Sequence, residues 1–149
     1  MRKAKTLLWS TGLATLLLAA CQSAPQSNLT VSGLDPTAFD STVNGKPVKL
    51  YTLKNDNGIE VCITNFGGRV VSLVVPDKNK TPTDVVLGYD NLKQYTDSVN
   101  SPSDFGSTVG RYANRINKGK LTVAGKKYQL PRNNFGHCLH GGTSGWMYQ

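Results

Sequence analysis

Lys120-Leu121-Thr122-Val123-Ala124-Gly125-Lys126-Lys127-Tyr128-Gln129-Leu130-Pro131 is the stretch whose reading decides the fold. Leu121 and Val123 share one face of an extended segment, and Tyr128 and Leu130 share one face of the next. Between them lies a turn at Ala124-Gly125-Lys126, where glycine supplies the positive φ that a tight hairpin needs. The stretch therefore predicts two short antiparallel strands.

Working outward, the chain repeats this style. Val48 to Leu53 reads as a strand and is followed by the turn residues Asn55-Asp56-Asn57-Gly58. Ile59, Val61 and Ile63 then alternate with Glu60, Cys62 and Thr64, the period of a half-buried strand. Gly67-Gly68 breaks the run. Arg69 to Val75 is valine-rich and reads as a strand buried on both faces. Pro76 to Pro82 is turn-like, Asp84 to Leu87 predicts another short strand, and Asn91 to Tyr95 predicts one helical turn. No segment sustains a helical period. Close strands, polar turns and few helices predict an antiparallel all-β architecture, a sandwich or barrel.

The N-terminus reads differently. Arg2, Lys3 and Lys5 precede a largely apolar run, Leu7 to Ala20, that is too short to span a bilayer comfortably. It ends in the small residues Ala19-Ala20 just before Cys21, the layout of an export signal. Leu18-Ala19-Ala20-Cys21 resembles a bacterial lipobox, which implies cleavage before Cys21 and lipidation of that cysteine; the plainer alternative is an ordinary signal peptide with a chance cysteine. The expected organisation is a signal at 1–20, a tether and turn-rich lead-in at 21–47, and the domain at 48–149. The expected location is periplasmic or cell-surface, held to a bacterial membrane through Cys21.

Charge excludes one class of partner. The 149 residues carry a formal net charge of +8. Without Arg2, Lys3 and Lys5 it falls to +5, and the remaining cations are scattered. Nucleic-acid binding calls for a denser basic patch with stacking aromatics. Cys62 and Cys138 remain as thiols that an exporting compartment could oxidise, although spacing alone does not place them within bonding range. His137-Cys138-Leu139-His140 lacks a second ligand pair at zinc-like spacing, so no metal site is expected.

Two runs carry chemistry: Gly110-Arg111-Tyr112-Ala113-Asn114-Arg115-Ile116 and Leu139-His140-Gly141-Gly142. An asparagine amide donates and accepts, a guanidinium offers five donors in a rigid fork, and a neutral imidazole does one of each. Glycines beside them let backbone approach a ligand. Asn114, Arg115 and His140 are thus candidates for binding a polyhydroxylated molecule. Taken singly, Arg115 equally suits a surface ion pair and His140 a structural role.

The ordered set is more specific. Ile63-Thr64-Asn65-Phe66-Gly67-Gly68, Asp84-Val85-Val86-Leu87-Gly88-Tyr89, Gly110 to Ile116, Asn117-Lys118-Gly119-Lys120, Tyr128-Gln129-Leu130 and Leu139 to Gly142 together resemble the aldose 1-epimerase (galactose mutarotase) family, from about Leu53 to Gly145. The resemblance implies a galactose-mutarotase-like β-sandwich, here incomplete. It implies interconversion of the α and β anomers of a free aldose without a cofactor. Asn114 and Arg115 match the family's Asn-Arg sugar-binding pair, and His140 matches its substrate-binding histidine. The family's acid, a later His, and its base, a still later Glu, have no counterpart before Gln149. The expectation is therefore the N-terminal part of such a protein, inactive by itself, with a non-catalytic sugar-binding lipoprotein as the alternative. Asn133-Asn134-Phe135-Gly136-His137-Cys138 and Trp146-Met147-Tyr148-Gln149 depart from the family pattern.

Overall fold

The computed structural model describes residues 28–149. The signal, the start of the tether and Cys21 lie outside the described residues. The described chain is all-β, with one short α-helix and five short 3-10 turns among the described residues. In order it forms β1 (Ser41–Val43), β2 (Lys46–Val48), β3 (Leu50–Lys54), β4 (Glu60–Thr64), β5 (Arg69–Pro76), β6 (Pro82–Asp84), α1 (Leu92–Thr96), β7 (Arg115–Ile116), β8 (Lys120–Val123), β9 (Lys126–Gln129) and β10 (Cys138–Leu139). Strands β3-β4-β5-β6 make one antiparallel sheet, while β1-β2, β7-β10 and β8-β9 are two-stranded ladders.

The turns follow from their side chains. Asn55 Oδ1 accepts from the backbone N–H groups of Asn57 and Ile59, both at 3.0 Å, and closes β3 onto β4. Asp77 Oδ1 does the same for Asn79 and Thr81 at 2.7 and 2.8 Å between β5 and β6. In the β8-β9 hairpin Val123 pairs with Lys126, so the loop is the two residues Ala124 and Gly125. Their φ values of 48° and 76° are both left-handed, the geometry that matches strand twist. Lys126 belongs to the strand rather than the turn.

Two predicted strands are redrawn. The first is interrupted at Lys49, whose N–H leaves the ladder to donate to Asn65 Oδ1 at 2.8 Å. The strand expected over Asp84 to Leu87 instead ends at Asp84. That carboxylate accepts from the N–H of Leu73 and of Val86, each at 3.0 Å, and so turns the chain away. Burial would raise the Asp84 pKa, but these backbone donors and Ser72 outweigh it and hold the carboxyl below its ordinary value.

The buried face of β4 is its polar one. Glu60, Cys62 and Thr64 point inward, while Val61 and Ile63 are half-buried and Ile59 is exposed. The 30–48 segment causes this, because Leu34, Phe39 and Val48 join Cys62, Phe66, Val71, Leu92 and Tyr95 in one core. The inward polar atoms find partners. Glu60 Oε1 accepts from Val31 N–H at 2.7 Å and Oε2 pairs with Lys54 Nζ at 2.7 Å; Thr64 Oγ1 accepts from Phe66 N–H at 3.2 Å. A bulge in β5 opposite Cys62 and Ile63 adds Val71 to the buried set. Cys62 and Cys138 are both buried free thiols. Burial pushes the Cys62 thiol up, against a smaller opposing effect from Thr52.

Arg69 links this sheet to the later segment. It is buried against Tyr95, 4.8 Å from the ring centre. Its Nη1 donates to the carbonyls of Ser103 (2.9 Å) and Phe105 (3.2 Å). Val70 N–H to Gly106 O and Thr108 N–H to Gly67 O, both 2.9 Å, continue the attachment up to Thr108. Desolvation lowers the Arg69 pKa, and Tyr95 and Asp104 act against that.

Candidate functional site

The β7-β10 ladder brings the candidate residues together across 26 positions of sequence. Leu139 pairs with Arg115 and Cys138 with Ile116. One step beyond the ladder, His140 N–H donates to Asn114 O at 2.9 Å, and Asn114 N–H donates to His140 Nδ1 at 3.0 Å. The Nδ1 atom is thus an acceptor, so the neutral ring carries its proton on Nε2. Both residues are left-handed, with φ of 54° at Asn114 and 52° at His140.

Gly141 makes this crossing possible. Its φ is 89°, and a Cβ there would lie 1.9 Å from Gly110 O. Only glycine lets the two runs approach so closely.

Arg115 is held from two sides. Its Nε donates to Asn134 Oδ1 at 2.9 Å, and Nη1 reaches Asn114 Oδ1 at 3.4 Å. Asn133 clamps β10, taking Leu139 N–H at 2.9 Å and giving Nδ2–H to Leu139 O at 3.1 Å. Reading the sequence left Asn133 and Asn134 out of the site. Their signal was the Asn133-Asn134-Phe135-Gly136 turn just before the histidine run, and only the fold reveals that its amides face Arg115 and β10. Lys118 N–H donates to His137 Nδ1 at 3.2 Å, which gives that second histidine a structural role.

These bonds leave a one-sided surface. Among the described residues nothing engages Asn114 Nδ2, Arg115 Nη2 or His140 Nε2, and all three are donors. The acceptor atoms Asn114 Oδ1 and His140 Nδ1 are already in use. The one ion pair within 4.0 Å among the described residues is Lys54–Glu60, so no carboxylate neutralises Arg115 at that range. Asn114 and Arg115 are exposed and His140 is half-buried. Such an arrangement can hold oxygen atoms of a ligand, but it has no free base of its own. No group of three His, Cys, Asp or Glu among the described residues is placed to hold a metal ion.

A cleft of about 320 Å³ lies beside this cluster, lined by Gly110, Arg111, Tyr112, Ile116, Trp146 and Gln149 among others. A hollow of about 570 Å³ between β1 and α1, bordered by Asp40, Thr42, Asn44 and Lys93, shares no residue with either.

The fold belongs to a recognisable class of all-β protein. A GalM/aldose epimerase homologue from C. elegans superposes with a TM-score of 0.64 at 35% identity, over 68% of this chain and 30% of that one. Galactose 1-epimerase from Lactobacillus acidophilus gives a TM-score of 0.59 at 26% identity, over 73% and 30%. The aldose 1-epimerase family model matches residues 49–149. A probable aldose 1-epimerase of Arthroderma benhamiae is 35% identical over 83% of this chain and 29% of its own length. Mouse galactose mutarotase is 39% identical over 68% and 29%. The chain belongs to the aldose 1-epimerase family, and it spans about 30% of the length of the relatives it matches.

Proposed function

We propose that this chain supplies the sugar-holding part of an aldose 1-epimerase acting on a free aldose such as galactose or glucose. The observation that carries the reading is the donor-only surface of Asn114, Arg115 and His140. Sugar hydroxyl and ring oxygens can accept, and donors on three neighbouring residues can hold a pyranose in one orientation.

Anomer exchange needs more than that. A base takes the proton of the C1 hydroxyl while an acid protonates the ring oxygen. The C1–O5 bond breaks to give the open aldehyde, C1 turns, and closure forms the other anomer. Acid and base must sit on opposite sides of the ring with pKa values near the working pH. The cluster holds the ring and offers Nε2–H of His140 to an oxygen, yet it contains no carboxylate able to take the C1 proton. That proton transfer falls to groups outside the cluster, in line with the later His and Glu that the family resemblance implies.

Calorimetry with galactose and glucose, paired with polarimetry of freshly dissolved α-galactose, tests the reading on the 149-residue chain. Binding without faster mutarotation is the expected result. Absence of binding contradicts it. Binding with full acceleration would contradict the assignment of proton transfer to other groups.

Export and lipid attachment at Cys21 form part of the same proposal, supported by the basic start, the apolar run and Leu18-Ala19-Ala20-Cys21. Mass spectrometry of the N-terminal peptide from cells should find Cys21 first and acylated. An unmodified Cys21 inside an uncleaved chain would remove the anchor.

A further inference from the structure

The guanidinium of Arg115 is aimed by a side chain that does not itself belong to the donor surface. Given the sugar-holding role proposed above, on which this rests, we infer that Asn134 is a positioning residue for sugar binding. Its amide oxygen sets the plane and direction in which Arg115 meets the ligand.

The first support is the pattern of bonds on the guanidinium. Nε donates to Asn134 Oδ1 at 2.9 Å, and Nη1 reaches Asn114 Oδ1 at 3.4 Å. A guanidinium is planar, so two held nitrogens fix the direction of the third. That third nitrogen, Nη2, makes no hydrogen bond among the described residues. Asn114 is the chain neighbour of Arg115 and moves with it. Asn134, 19 positions away, is the holder that comes from elsewhere in the chain, and its bond is the shorter one.

The second support is that Asn134 is itself held. Asn134 N–H donates to His137 O at 3.2 Å, and His137 N–H donates to Asn134 O at 2.8 Å. Phe135 and Gly136 between them have φ of 45° and 79°, the left-handed pair of a tight hairpin turn. Lys118 N–H donates to His137 Nδ1 at 3.2 Å and fastens this turn to the chain just past β7. The turn is thus closed and anchored by backbone groups and His137, without the Asn134 side chain.

The third support is a division of labour between two adjacent asparagines. Asn133 gives both atoms of its amide to the backbone of Leu139. The Asn134 side chain makes one bond among the described residues, and that bond goes to Arg115. A long side chain that a ligand must immobilise loses affinity roughly threefold to tenfold through lost rotamer freedom. Asn134 fixes Arg115 on folding, before a sugar arrives.

The test is a calorimetric series with galactose on the 149-residue chain: unmodified, Asn134→Ala, Asn134→Asp, Arg115→Ala, and Asn134→Ala combined with Arg115→Ala. Asn134→Ala should weaken binding about threefold to tenfold and leave the circular dichroism unchanged, because the bonds of the turn remain. Asn134→Asp keeps the acceptor and should stay within about twofold of the unmodified chain. In the Arg115→Ala background Asn134→Ala should change nothing further, since it acts through that side chain. In ¹⁵N NMR without sugar, the Arg115 Nε–H should exchange slowly with water in the unmodified chain and fast in Asn134→Ala. Undiminished affinity in Asn134→Ala, or an equal loss in both backgrounds, would overturn the positioning role and leave the sugar-holding role intact. No galactose binding to the unmodified chain would overturn both.

Discussion

The β3–β6 sheet and the β7-β10 ladder solve opposite problems with similar residues. The sheet turns Glu60, Thr64, Arg69 and Ser72 inward and buries them. The ladder has only two residues in each strand, and it leaves Asn114 and Arg115 exposed, with Asn114 Oδ1 in use and Asn114 Nδ2 and Arg115 Nη2 open. In the first region polar groups are buried within the frame, Arg69 Nε and Ser72 Oγ without a hydrogen-bond partner among the described residues; in the second they are oriented by neighbours and left exposed. Arg69 and Arg115 show the contrast within one residue type. The first is buried, donating to the loop carbonyls of Ser103 and Phe105. The second spends Nε on Asn134 and keeps Nη2 open.

The largest effect is expected in the frame. Phe39 has 0% exposure, and Phe39→Ala should cost about 3–5 kcal/mol through lost burial and a cavity. Denaturant unfolding measures the loss, and galactose affinity of the folded fraction should not change. If affinity falls together with stability, the two regions are not separable.

Gly141→Ala should act the other way. With backbone 1.9 Å from the added Cβ and φ at 89°, the crossing of the two runs must open. A cost of about 2–3 kcal/mol is expected, with sugar binding lost in calorimetry while the far-ultraviolet circular dichroism of the sheet persists. Retained binding would show that the crossing does not set the site.

Asp84 sharpens the comparison through pH. Its folded pKa is depressed, so its contribution is fully present above the ordinary carboxylate value of about 3.9 and is lost as pH falls through the lower folded value. Asp84→Asn should cost about 1 kcal/mol at neutral pH, solvent screening included, and should flatten stability against pH below about 4. An unchanged acid limb in thermal melts would remove Asp84 from the account. The smallest effect belongs to Lys126→Ala. Lys126 is exposed on the β8-β9 hairpin, 5.3 Å from the Tyr128 ring, and a change within about 0.5 kcal/mol is expected.

How much of this was legible in the sequence depended on the range of the interactions. Asn55, Asp77 and Gly125 act within a few residues, so the turns and the β8-β9 hairpin could be read directly. Asn114, Arg115 and His140 were legible as types, and the resemblance tied them together. The burial of Glu60 and Cys62 in place of Val61 and Ile63 was not legible, because it depends on Leu34 and Phe39 folding across from a segment that reads as turns. The end of β6 at Asp84 was hidden for a similar reason, since a carboxylate can extend a strand or cap it depending on which N–H groups come within reach. Asn133 and Asn134 stood out only as part of a departure from the family pattern, because their work on Arg115 and Leu139 needs the register of β7 on β10.

The most direct test of the central claim is a calorimetric titration of galactose into the unmodified chain, Arg115→Ala and Lys126→Ala side by side. Loss of the guanidinium should weaken binding tenfold or more, about 1.4 kcal/mol, while Lys126→Ala should match the unmodified chain. Equal affinity in the two variants would contradict the assignment of Arg115 to the sugar.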